Sequence, residues 1–308
     1  MKKILLLFSL LLVVIWGSAQ VTDAEKQLKT QLVDTIEGWK SGGMINLNMS
    51  QTSLTNWAAG GQSSIALNGL LNLHDQYKKG NELWENYLDL AYGSMKQGKA
   101  NWWKTDDRIA FVSKYGHKAS KNLYIAGLVD FRTQFSKGYN YPNDSVMISR
   151  FMAPGYLLGA LGAEYRPNDN FDVFIAPFTG KFTFVMDQAL ADSGAFGVKR
   201  GDKVYSEFGG YARIFAKKDL MENISVQTNL DLFSNYLHNP GNIDISWKVL
   251  IAMKVNKFFS ATISTDMIYD DDIKIVEDKN DNGIIESGEK GPRLQFKEIL
   301  AIGIAYKF

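Results

Sequence analysis

Polar and apolar residues alternate one by one along most of this chain, beginning after Gly43. The clearest run is Ile243 to Val255. There Ile243, Ile245, Trp247, Val249, Ile251, Met253 and Val255 share one face, while Asp244, Ser246, Lys248, Leu250, Ala252 and Lys254 share the other. Ile224 to Tyr236 repeats the pattern, with Ser225, Gln227, Asn229, Asp231 and Asn235 on the polar side. Phe259 to Tyr269 sets Ser260, Thr262, Ser264 and Asp266 against Ala261, Ile263 and Met267. A period of two is the signature of a strand whose faces meet different surroundings. Strands of a water-soluble sandwich average only ~5–6 residues. Runs about twice that length, apolar outside and charged inside, fit a wall between lipid and a wet lumen.

Twelve such segments are expected, near 43–51, 62–77, 82–96, 105–117, 121–137, 154–166, 170–184, 202–217, 222–237, 242–255, 257–270 and 293–308. Bacterial single-chain barrels have an even strand number. The connections alternate in length. Lys78 to Asn81, Lys118 to Asn122, Pro167 to Asp169, Lys217 to Met221 and Asn256-Lys257 are short. Thr52 to Gly61, Gln97 to Lys104, Gly138 to Ala153, Val185 to Gly201 and Asp271 to Pro292 are long, with His238 to Gly241 a short exception on the same side. Short periplasmic turns and long outer loops are the barrel arrangement. Tyr77, Trp84, Tyr115, Tyr165, Phe171 and Phe259 fall near the short-turn ends, and Tyr92, Phe135, Tyr236 and Tyr269 near the long-loop ends. That distribution is expected of two aromatic girdles at headgroup level. The fold class is therefore all-β: a transmembrane, antiparallel, up-and-down barrel of about twelve strands with a short N-terminal periplasmic helix.

The N-terminus predicts export. Lys2 and Lys3 precede an apolar run from Ile4 to Trp16, and Gly17-Ser18-Ala19 supplies small residues before a cut ahead of Gln20. The expected division is 1–19 signal peptide, 20–42 periplasmic helical segment and 43–308 outer-membrane barrel. Within the second part, Thr22-Asp23-Ala24-Glu25 fits a capping box, and Leu28, Leu32 and Ile36 share a helix face. This helix either plugs the barrel mouth or packs beneath it.

Composition narrows the partners. The 308 residues carry a formal net charge of +1 and no cysteine. Without a basic excess a nucleic-acid partner is not expected, and without cysteine there is no disulfide, thiolate zinc site or lipoprotein anchor. The expected partners are outer-membrane lipid, the barrel-assembly machinery, and a small solute or another envelope protein.

The C-terminus, Leu300 to Phe308, resembles the signal read by the barrel-assembly machinery: terminal Phe308, Tyr306 two before it and Gly303 five before it. Ala301 departs from the usual polar residue two before the glycine. Upstream, Leu54-Thr55-Asn56-Trp57-Ala58-Ala59-Gly60-Gly61-Gln62-Ser63-Ser64 resembles the hallmark of an uncharacterised outer-membrane barrel family of the Bacteroidota. The likeness continues through Asn68-Gly69, Tyr77 to Gly80, Trp84-Glu85-Asn86 and Ala91-Tyr92-Gly93. It implies fold and location; that family carries no settled activity, so no catalytic residue follows from it.

Three groups of side chains are candidates for chemistry. Asp278 to Glu289 matches D-x-[DN]-x-[DN]-G-x₅-E. Asp278, Asn280, Asn282, the Ile284 carbonyl and Glu289, with Glu286 direct or through water, are the expected Ca²⁺ ligands, and Gly283 permits the turn. The competing reading is an Asn/Gly-rich surface turn. Glu85, Asp89, Arg108, Asp130, Arg132, Glu164, Arg166, Arg213, Asp231, Lys248 and Asp266 are expected to face the lumen, as are Lys114, Glu207, Lys254 and Lys297. Balanced charge there fits either a polar pore or a lumen cross-linked by ion pairs; a barrel of this size permits both. His74, His117 and His238 show no triad or metal spacing, so an enzyme is not expected. Trp57 and Trp102-Trp103 lie in outer loops, where they either stack on a ligand such as a sugar or rest on the rim. The function expected is a narrow channel or solute-uptake porin, with a non-conducting structural or partner-binding barrel as the alternative.

Overall fold

The computed structural model describes residues 37–55, 58–59, 61–168, 170–254, 259–276 and 289–307. The wall strands are β1 (Gly38–Thr52), β2 (Ser64–Lys79), β3 (Glu82–Gln97), β4 (Trp103–Lys118), β5 (Leu123–Thr133), β8 (Gly155–Asn168), β9 (Phe171–Phe184), β10 (Val204–Met221), β11 (Ile224–Asn235), β12 (Ile243–Lys254), β13 (Phe259–Tyr269) and β16 (Gln295–Lys307). Two small hairpins lie in long loops: β6 (Gly138–Tyr139) with β7 (Met147–Ser149), and β14 (Lys274–Val276) with β15 (Lys290–Pro292). Among the described residues one short α-helix, α1 (Gln188–Ser193), sits in the loop after β9, followed by a 3-10 turn at Ala195–Gly197.

Each wall strand pairs antiparallel with its chain neighbour, and β1 meets β16 to close a twelve-stranded barrel. At the seam, Met44 lies opposite Lys307 and Leu47 opposite Ile304. Every expected segment overlaps one wall strand. Two boundaries differ instructively. β1 begins at Gly38, so residues 38–42, expected in the helical segment, belong to the wall; the Gly42-Gly43 pair is carried inside a strand that β2 holds in register. The predicted helix itself lies outside the described residues. β5 ends at Thr133 and not near 137, because Asp107 accepts the backbone N–H groups of Phe135 and Ser136 and draws the chain off the wall.

The alternation sorts side chains as the pattern requires. Outward residues are apolar and exposed, among them Leu47 (69%), Ile125 (64%), Leu161 (65%) and Phe178 (64%). Inward residues are mostly small, polar, charged or aromatic, with a few aliphatics such as Leu70, Leu128 and Leu250. The short-turn ends are tight: Gly80 takes φ +55° in the two-residue turn between β2 and β3. Midway up β9 a bulge at Pro177-Phe178 inserts an extra residue against β8 and β10. Proline suits a bulge because it has no N–H to give the ladder. Gly162 on β8 leaves room for it: a Cβ there would stand 2.5 Å from the Ala176 Cα and collide with the Ile175 carbonyl oxygen.

The barrel's apolar core is inside the lumen. Phe174, Tyr211 and Phe233 pack on Ala126, Leu128, Ala160 and Ala176, contributed by β5, β8, β9, β10 and β11. A barrel filled this way is a packed core along that side and not an open tube.

Candidate functional site

The lumen divides into three levels between the short-turn and long-loop ends. Nearest the short turns, β3, β4 and β8 aim Glu85, Lys114, Glu164 and Arg166 at one another. The Lys114 ammonium stands 2.9 Å from Glu85 and 2.7 Å from Glu164. Arg166 Nη2 donates to Glu85 at 3.1 Å, and Arg166 Nε lies 3.6 Å from Glu164. Glu85 and Glu164 are each only 1% exposed. Buried carboxylates of this kind persist only when paired, since an isolated buried charge is strongly disfavoured. Asp172, Phe215, Ser225 and Gln227 are buried at the same level.

The middle level carries three strand-to-strand or same-strand pairs. Arg108 meets Asp89 at 2.8 Å. Arg132 Nε donates to Asp130 at 2.8 Å. Arg213 Nε donates to Asp231 at 2.7 Å, and the Tyr211 hydroxyl donates to the same carboxylate at 2.6 Å. Asn72 also donates to Asp89, at 2.6 Å. Lys248 and Asp266 are register partners on β12 and β13, and Asp266 in turn lies opposite Lys297. What remains between these groups is a cavity of about 140 Å³, lined by Arg108, Arg213, Lys248, Asp89 and Phe174 among others. That volume suits a few waters.

The upper level is wider. A cavity of about 620 Å³ lies under the long loops, with Arg132, Lys181, Tyr156, Phe233, Asp244 and Asp270 on its walls. Lys181 braces it, 2.7 Å from Asp244, 3.1 Å from Glu207 and 3.6 Å from Asp270, with its ammonium 5.0 Å from the Phe233 ring centre. Ile148, Phe196 and Ile273 reach over it from the loops. The loop after β9 is folded onto this mouth. Val185, Leu190, Ala191 and Val198 bury against Ala153, with Phe196 and Tyr205 alongside. Asp187 caps α1 by accepting from the Leu190 N–H, and it pairs at 3.0 Å with Arg150 in the adjoining loop before β8. Partial burial acts to raise the Asp187 carboxyl, but the bonds from Arg150 and Leu190 outweigh it and hold the group below the usual carboxylate range. At the helix end, Gly194 takes φ +71°, the left-handed conformation that closes a helix.

Of the lumen residues named from the sequence, Glu85, Asp89, Arg108, Lys114, Asp130, Arg132, Glu164, Arg166, Glu207, Arg213 and Asp231 meet in ion pairs, whereas Lys248, Asp266 and Lys297 are neighbours in register. Lys254 is in β12, with its side chain outside the description. Of the calcium motif, Asp278, Asn280, Asn282, Ile284 and Glu286 lie outside the described residues, and Glu289 is buried beside β15. Among the described residues no three His, Cys, Asp or Glu side chains are grouped to hold a metal. Gly303 and Tyr306 lie in β16, Tyr306 opposite Ile45 across the seam; Phe308 is beyond the described residues. His74 faces the lumen and is buried, His117 faces outward beside Glu82, and His238 is in the β11–β12 loop beside Asn239. Trp103 stacks on Tyr141 at 5.7 Å, whereas Trp57 is outside the described residues. Sequence reasoning missed Lys181 as the brace of the upper cavity and Asp187 as its latch. The Asp187…Gly194 spacing was the available signal for α1.

Residues 49–139, less than half of the chain, match a family described as "Protein of unknown function (DUF3078)". No curated protein matches the chain. Solved structures similar to it include the COG4313 outer membrane channel from Pseudomonas putida F1, at 10% identity and a TM-score of 0.41 over 89% of this chain and 97% of that one. The NanC porin is similar at 10% identity and 0.39 over 87% and 100%, and the translocator domain of the autotransporter NalP from Neisseria meningitidis at 10% and 0.35 over 92% and 93%.

Proposed function

We propose that this chain is an outer-membrane β-barrel whose lumen is closed toward the periplasm and opens outward as a vestibule, so that in this state it conducts no solute. Location is supported by the outer wall. Leu47, Ile125, Leu161, Phe178 and their neighbours present far more contiguous apolar surface than a water-soluble monomer exposes. Short turns at one end and long loops at the other orient it, with the short turns periplasmic. The C-terminal Gly303, Tyr306 and Phe308 are the proposed handle for the barrel-assembly machinery, and the loop from Asp278 to Glu289 is proposed to take Ca²⁺.

One observation carries the closed lumen: Glu85, Lys114, Glu164 and Arg166, buried and mutually paired, occupy the periplasmic level. A free-running diffusion pore keeps such groups hydrated and apart. The reading is that of a structural or partner-binding barrel with an outward-facing pocket. Planar-bilayer recording tests it. The parent protein is expected to be silent, and Lys114→Ala with Arg166→Ala is expected to show discrete openings. Steady openings by the parent would contradict closure. A second reading, gated solute uptake, is favoured by the 620 Å³ cavity, which is large enough for a small organic solute. Openings by the parent only when a solute is added would select it.

A further inference from the structure

A polar row interrupts the outer wall just below its apolar band. Ser41, Asp75, Asn86 and Ser113 are register partners in turn across β1, β2, β3 and β4, all on the outward face. The Ser41 hydroxyl donates to Asp75 at 2.7 Å, and the Ser113 hydroxyl donates to Asn86 at 2.8 Å. One pleat nearer the short turns the next row is aromatic: Trp39, Tyr77, Trp84 and Tyr115. The Trp39 ring centre lies 5.0 Å from that of Tyr77 and 5.6 Å from that of Trp84, the planes tilted by 44° and 55°. Trp39 and Trp84 are exposed. Glu82, one pleat further, is engaged by Tyr115 and His117. Asp75 differs: its partner is the neutral Ser41, and among the described residues no cation stands within ion-pair distance of it.

Depth decides what this cradle meets. On β2 the outward apolar residues run from Ile65 to Leu73. At ~3.3 Å per residue and ~40° of tilt that band is roughly 20 Å tall, comparable to the ~25 Å of a barrel's lipid belt. Asp75 and the aromatic row therefore sit at the headgroup level of the short-turn side. A lipid-facing carboxylate is disfavoured unless a counter-charge reaches it, and such residues mark sites.

We propose that Asp75 with Trp39, Tyr77 and Trp84 binds the ammonium of a phospholipid headgroup in the periplasmic leaflet. The carboxylate pairs with the cation while the ring faces hold it by cation–π attraction. This rests on the lipid-facing reading of the wall. The test uses the folded full-length chain in detergent with equimolar phosphatidylethanolamine and phosphatidylglycerol, the retained lipid being counted by native mass spectrometry. Several-fold preference for phosphatidylethanolamine is expected, lost in Asp75→Asn and kept in Asp75→Glu, with folding of each variant checked by its electrophoretic shift on heating. Equal retention of the two lipids, or a preference unchanged in Asp75→Asn, overturns the site. A chain that inserts into vesicles of either lipid yet shows no preference overturns the site alone; one that inserts into neither overturns the wall reading with it.

Discussion

Lys114→Met removes one charge from the short-turn level of the lumen and little else, because the thioether side chain keeps most of the lysine stem's volume. The lysine ammonium is 2.9 Å from Glu85 and 2.7 Å from Glu164, and its side chain is 11% exposed. Without it the two buried carboxylates keep Arg166, at 3.1 and 3.6 Å, and Glu85 keeps the bond from Gln76 at 3.3 Å. Removing one partner from a buried ionic cluster costs about 3–5 kcal/mol. Against a total stability of about 5–15 kcal/mol that is a large fraction. Adding Glu164→Gln removes the surplus negative charge, so the double variant is expected to recover much of the loss. The coupling between the two sites is then non-additive and favourable. The assay is equilibrium urea unfolding in phospholipid vesicles, followed by tryptophan emission. If Lys114→Met unfolds within about 0.5 kcal/mol of the parent, the range of an ordinary surface change, the carboxylates are hydrated and the reasoning fails.

Other expectations are independent of that cluster. Gly162→Ala forces a methyl group against the backbone of Ile175 and Ala176 at the β9 bulge; overpacking of this kind costs about 1–3 kcal/mol or more, seen as a lower urea midpoint, whereas a parent-like midpoint would contradict the close approach. Asp187 has a lowered folded pKa, so its contribution is complete above the unfolded value of about 3.9 and fades as pH falls through the lower folded value. Protection of residues 188–193 from hydrogen exchange, relative to the intrinsic rate at each pH, is therefore expected to hold down to about pH 4 and to fall below it. Asp187→Ala, which removes the cap at every pH, is expected to weaken α1 by about 1 kcal/mol. Unchanged exchange in that variant would dismiss the latch. Calorimetry is expected to show Ca²⁺ binding that Asp278→Ala abolishes; no heat at millimolar Ca²⁺ would reject the loop as a metal site.

The wall was legible because its physics is local. Each residue's face is set by its own position in a period of two, and lipid on one side with charge on the other leaves that period unblurred, as at Ile243 to Met253. The inward assignment of Glu85, Arg108, Asp130, Arg132 and Arg213 follows from the same parity. Whether those charges line a pore or lock together was not legible. That depends on contacts between strands distant in sequence: Lys114 and Glu164 are fifty residues apart, on β4 and β8 with β5 between them. Trp39 escaped the aromatic girdle because Gly42-Gly43 reads as a break, glycine being a weak strand former, while pairing with β2 carries the strand through it. The end of β5 was misplaced because side-chain bonds from Asp107 stop it, and a contact between residues 107 and 135 leaves no mark on the local pattern.

The central claim is a wall that faces lipid around a lumen sealed at its periplasmic level. With no native cysteine, single cysteines placed in turn from Ile245 to Ala252 on β12 and spin-labelled in vesicles test both halves at once. Oxygen, which partitions into lipid, is expected to relax labels at Ile245, Trp247, Val249 and Ile251. A water-soluble nickel chelate is expected to reach Ser246 at the vestibule but not Leu250 or Ala252, both buried inside. No alternation with oxygen, or nickel access continuing down to Ala252, would contradict the account.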